Sequence, residues 1–140
     1  MAYASRTEVP TAKTRMEIEQ LLVKHGAKNF VFMHGDERAL VIFELHDRRI
    51  KFALPLLRLD TRLKPTRSEQ FLRSRWRALL LCIKAKLEAV ESRIETFEEA
   101  FLAHVVMPDG HTVYEHTQPT ISQVYANGEM QPLLPPPRGA

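Results

Sequence analysis

The apolar positions of this chain run at helical spacing, switch to strict alternation, then return to helical spacing. Ile18, Leu21, Leu22 and His25 recur every three or four residues. Thr14-Arg15-Met16-Glu17 before them has the form of a capping box, and Gly26 after them can supply a left-handed terminator. This pattern predicts a helix over Arg15–His25. Three β-rich runs follow. "NFVFM" leads into a turn at His34-Gly35-Asp36-Glu37. "RALVIFEL" puts Ala39, Val41, Phe43 and Leu45 on one face. "RRIKFAL" alternates through Ile50, Phe52 and Leu54 after a turn at His46-Asp47-Arg48. The short connections predict an antiparallel meander.

A long helix is predicted from about Ser68 to Arg93. At 100° per residue, Leu72, Trp76, Leu79, Leu80, Ile83, Leu87 and Val90 share one arc. Phe71, Ala78, Leu81, Cys82, Ala85 and Ala89 make a second apolar face. Two basic seams separate the faces, Arg73, Arg77 and Lys84 in one and Arg75 and Lys86 in the other. A helix apolar on two sides is normally covered on both, by the sheet on one and by a later helix or a second subunit on the other. Thr96-Phe97-Glu98-Glu99 is a further capping box, opening a short helix through His104 with Phe97, Phe101 and Leu102 inward. "VVMPDGHTVY" reads as two extended segments about a Pro-Asp-Gly turn. Pro119–Asn127 reads as a last helix with Pro119 near its first position and Gly128 as its stop. The fold class expected is α+β. A helix, a three-stranded antiparallel sheet and a long central helix packed on it are followed by short helices and an extended Pro-rich tail. Residues 1–13 are an arm, 14–128 one domain and 129–140 the tail.

Composition sets the class but not the function. At 140 residues, 44% apolar and 26% charged, the chain can build one core without disulfides or a metal, and Cys82, the sole cysteine, can form no internal disulfide. The longest apolar run, Ala78–Ile83, is too short to cross a bilayer, so a cytoplasmic protein with no membrane partner is expected.

Charge changes the picture more. Residues 1–47 carry six Lys/Arg and seven acids, residues 48–86 twelve against two, and residues 87–140 two against eight. A segment of net +10 attracts polyanions whatever the total. The candidate nucleic-acid contacts are Arg48, Arg49, Lys51, Arg58, Arg62, Lys64 and Arg67, with the seam residues Arg73, Arg77 and Lys84. Guanidinium forks suit phosphate oxygens. The competing reading is that the acidic C-terminal third, net −6, neutralises the segment internally.

No catalytic constellation is evident. Cys82 sits mid-helix among leucines and reads as an inert buried thiol. His104, His111 and His116 lack the paired spacing of a zinc motif, Glu98 and Glu99 suit helix capping, and no glycine-rich phosphate loop exists. No cofactor or metal is implied, and Trp76 lies in the core arc rather than on a base-stacking surface.

The stretches "TRMEIEQLLVKHGA" (14–27) and "RSRWRALLLCIKAKLEAVESRIETFEEAFLAHVVMPDG" (73–110), with the "MQPLLPPP" ending, resemble a family of small proteins encoded by phages and prophages. That resemblance covers a little under half the chain and implies a context rather than an activity: a small accessory protein acting on DNA or on host machinery. The linker at 56–68 is shorter than the family's. The helix–three strands–helix order also matches double-stranded-RNA-binding domains, but the lysine cluster those carry at the start of their second helix is missing, and the second helix is too long. Non-enzymatic nucleic-acid binding is therefore expected. The alternative is a phage factor binding a host protein through the second apolar face or the acidic third. A homodimer on Leu81, Cys82 and Ala85 would also cover that face.

Overall fold

The computed structural model describes residues 9–56 and 65–135, with side chains from Ser68 onward in the second stretch. Helix α1 (Thr11–Lys24) leads into strands β1 (Lys28–His34), β2 (Arg38–Leu45) and β3 (Arg48–Pro55). The long helix α2 (Pro65–Glu91), the short α3 (Phe97–Phe101) with a 3₁₀ turn at Leu102–His104, and α4 (Val113–Asn127) follow. The sheet is an antiparallel meander in the order β1-β2-β3, so the architecture is α+β.

α1 begins earlier than its apparent capping box. Pro10 is its N-cap and the Thr14 N–H already bonds the Pro10 carbonyl at 3.1 Å, which places Thr14 inside the helix and fully buried. Proline, with its fixed φ, opens the helix where a Thr14 side-chain cap was expected, and no side chain caps it. Its end is a Schellman motif: the Ala27 N–H reaches the Leu22 carbonyl and the Gly26 N–H the Val23 carbonyl, with Gly26 at φ 95°. α2 stops at Glu91 rather than Arg93 for the same reason. Arg93 takes a left-handed φ of 59°, and Ile94 N–H bonds the Ala89 carbonyl.

The hairpin between β2 and β3 turns on His46 and Asp47, both at positive φ, which matches the twist of the strands on either side. In the registered pairs, Val41 faces Phe52 and Phe43 faces Ile50, so one sheet face holds Phe32, Val41, Phe43, Ile50, Phe52 and Leu54 against the helices. Trp76, Leu79, Leu80, Ile83 and Leu87 of α2 close this core together with Ile18 and Leu22 of α1. Trp76 is 1% exposed, and its ring lies beside Phe32 under the Arg15 guanidinium.

α2 is flanked rather than sandwiched. α1 lies along the Arg77 and Lys84 seam, while α3 lies along the other, where the Lys86 ammonium donates to the Ala100 carbonyl at 3.0 Å. The second apolar face between them is left with Cys82 and Ala85 exposed, which corrects the expectation of a buried thiol. Leu102 is also turned out, at 50% exposure, because the 3₁₀ turn rotates it off the inner face that Phe101 occupies.

The largest departure is at the C-terminus. Val113 and Tyr114 do not extend a strand; they open α4, six residues before the expected start. Thr112 and Glu115 form a complete capping box, and Pro119 lies inside the helix. Val105 and Val106 do pair as short bridges, with Ile50 and Thr112. Glu129–Pro135 forms neither helix nor strand.

Candidate nucleic-acid interface

Alternation along β3 separates the basic residues that sequence groups together. Arg48, on the core-facing side, reaches Glu98 of α3 at 3.0 Å; Arg49 points to the other face, opposite Glu44 in register. Lys51 shares that outer face, and its ammonium donates to the Gly110 carbonyl at 3.3 Å and lies 3.5 Å from Glu115. On α2, Arg73 bonds Gln70 at 2.7 Å with Glu69 at 3.8 Å, and Arg77 meets Glu17 at 3.0 Å. Lys84 is exposed, beside Lys24, His25, Glu88 and Glu91. Arg58, Arg62 and Lys64 fall outside the described residues, as does the Arg67 side chain.

The seams of α2 are therefore not free tracks for a ligand. They are the sides on which α1 and α3 dock: Arg77 is used on α1 and Lys86 on α3, while Arg73 is held within α2, Arg75 donates to the Pro55 carbonyl at 3.2 Å and Lys84 stays exposed. Two of the pairs, Arg48–Glu98 and Lys51–Glu115, join the basic segment to the acidic third, the internal neutralisation weighed from sequence. What the fold brings together instead is the outer sheet face, over which none of the described helices lies flat. Register puts Arg38, Leu40, Ile42 and Glu44 of β2 there, with Val31 and Met33 of β1 and Arg49, Lys51 and Ala53 of β3. Val31 is 41% and Met33 53% exposed.

At the β3 side this face meets the first turn of α4 in a cleft of about 420 Å³, within the ~300–1,000 Å³ range of small-molecule sites. Arg38, Lys51, Ala53, His104, Tyr114 and Glu115 line it. The capping box aims Glu115: its Oε1 accepts from the Thr112 N–H at 2.9 Å, and the Thr112 hydroxyl accepts from the Glu115 N–H at 3.2 Å. The Thr112 N–H, with the Lys51 ammonium next, pulls the Glu115 carboxyl down to about 2. His104 is stacked 4.1 Å from Phe52 and donates from Nδ1 to the Lys51 carbonyl at 3.2 Å. Burial, assisted by the nearby Lys86 charge, lowers its pKa, so the ring is neutral at pH 7. Tyr114 is 58% exposed.

Arg38, Tyr114 and Glu115 were not among the candidate residues from sequence. The signal for Arg38 was its place in the alternation with Leu40 and Ile42. For the other two it was Thr112-Val113-Tyr114-Glu115, a capping-box spacing masked by the apparent strand and by Pro119. Among the described residues no group of three or more His, Cys, Asp or Glu is placed to hold a metal ion, and no helix is long and apolar enough to cross a membrane. No protein-family model matches the chain, and no curated protein or solved structure matches it.

Proposed function

We propose that this protein is a non-enzymatic binding module that holds a single strand of nucleic acid across the outer face of its sheet. The observation that supports this is the joint placement of Arg38, Arg49 and Lys51 on a face that the described helices meet only at its β3 edge, where Lys51 already pairs with Glu115 beside an exposed tyrosine. Strand phosphates would run past the three cations while bases rest on apolar positions and on Tyr114. With so few cations, and Glu44 and Glu115 among them, the field is modest and sequence preference from phosphate contact is nil. A phage-encoded accessory role, acting on DNA in the host cytoplasm, is the setting this reading shares with the family resemblance.

The test is fluorescence anisotropy with labelled single- and double-stranded DNA and RNA across a salt series. Three phosphate contacts on a single strand give a log–log salt slope of about −2, whereas all ten candidate residues acting together give about −7. A slope near −2 that disappears in Arg38→Glu/Arg49→Glu supports the sheet face. A slope near −7 moves the interface to the basic segment, and no binding at low salt overturns the reading.

A second reading has its own observation. Val31, Met33, Leu40 and Ile42 form an apolar strip on that same face, the kind of surface that marks protein interfaces. A host-protein partner would then be retained in a pull-down after nuclease treatment, and Met33→Glu would release it.

A further inference from the structure

The cleft between β3 and α4 has a chemistry that a phosphate alone does not explain. A free anion there meets the Glu115 carboxylate, and a wholly apolar ligand would strip water from Lys51 and Glu115 with nothing in return. A flat ring with hydrogen-bond donors on its rim suits all of the walls. Ala53 and Ala103 leave room for the ring, Tyr114 offers an aromatic surface, and Glu115 offers carboxylate oxygens, of which Oε2 has only the distant His111 at 3.5 Å. Arg38 and Lys51 sit where a phosphate attached to that ring can reach.

We propose that the cleft seats one unstacked nucleobase and selects those carrying an exocyclic amino group, with Glu115 as the acceptor that reads it. The inference rests on the nucleic-acid reading above and adds a base preference to it. An ionised carboxylate accepts and cannot donate, so it pairs with the amino group of cytosine, adenine or guanine and repels the flanking carbonyl oxygens of thymine or uracil. The Thr112 N–H and Lys51 keep Glu115 in that ionised form at every pH near neutrality. The Thr112 N–H and Lys51 hold Oε1, so the ligand would take Oε2 in place of its 3.5 Å contact with His111.

The experiment compares oligo(dC) and oligo(dT) of equal length by anisotropy on the intact chain, at one salt concentration. Where cytosine carries the 4-amino group and a bare N3, thymine carries a carbonyl, an N3–H and a C5 methyl, so the Glu115 variant is what assigns any difference to the carboxylate. Oligo(dC) should bind about tenfold tighter or more, the value of one hydrogen bond to a charged group. Glu115→Gln retains the capping-box chemistry but presents both a donor and an acceptor, and it should erase the difference. Equal affinities in the unmodified protein, or a preference that survives Glu115→Gln, overturn the base selection while leaving strand binding in place. No binding of either oligonucleotide overturns both. Should Glu115→Gln fail to fold, Tyr114→Ala decides through the oligo(dC) preference: a preference that shrinks supports a base seated against Tyr114 and read by Glu115, and a preference of unchanged size overturns it.

Discussion

The Arg77 guanidinium lies 3.0 Å from the Glu17 carboxylate and ties α2 to α1 across the side of the core. Arg77 therefore has a structural partner where sequence assigned it a ligand. A double-mutant cycle of Glu17→Ala and Arg77→Ala should give a coupling of about 0.5–1 kcal/mol in urea unfolding. Affinity for nucleic acid should be unchanged in Arg77→Ala. Weaker binding at unaltered stability would return this residue to the interface.

Trp76 is the only tryptophan, so its fluorescence reports on the core alone. Its emission should be blue-shifted, resist iodide quenching and stay constant when oligonucleotide is added. Quenching by added strand would mean that the ring is reached from outside. Trp76→Ala should cost about 3–5 kcal/mol, because the cavity lies under both helices and the sheet.

Thr14 is fully buried, and its hydroxyl has no hydrogen-bond partner among the described residues. Thr14→Val keeps the shape and removes the unpaired group, so it should be neutral or raise stability by up to about 1 kcal/mol. A clear loss would show that the hydroxyl finds a partner in solution.

His104 gives stability a dependence on pH with a definite sign. Its folded pKa is depressed, chiefly by burial, below the ordinary value of 6.5. Below pH 6.5 the unfolded chain binds the proton more readily, so stability falls as pH drops from there. His25 acts in the opposite direction. Its pKa is raised, first by the Leu21 carbonyl and then by Glu91, so its contribution is present below pH 6.5 and fades above. His104→Phe preserves the stack on Phe52 and should remove the fall below pH 6.5. An unchanged profile would show that His104 does not carry it.

Much of the fold was legible because it rests on local pattern. The alternation through Val41, Phe43, Ile50 and Phe52 defines an inner face whatever packs on it, and Thr96–Glu99 caps a helix within four residues. The start of α1 was missed because two caps compete there, and Pro10 prevails over Thr14. α4 was misread because Val113 and Tyr114 are β-prone and Pro119 looks like a helix start, yet the capping box overrides both. The site was less legible than the fold. Charge along the chain says how many cations there are, not which face each takes. Adjacent residues such as Arg48 and Arg49 diverge on a strand, and Glu98, Glu115 and Glu17 come from elements that sequence order keeps apart.

α4 contains no buried residue, and Pro119 deletes the amide that would bond the Glu115 carbonyl. Such a helix, anchored to the core chiefly through Val113, should open at a lower free energy than the sheet and α2. Its amides from Val113 to Asn127 should exchange with deuterium well before those of β2. Since that helix is one wall of the cleft, the cleft exists only while α4 is wound. A molecule lodged against Tyr114 should therefore slow exchange along the whole helix, far beyond the residues it touches.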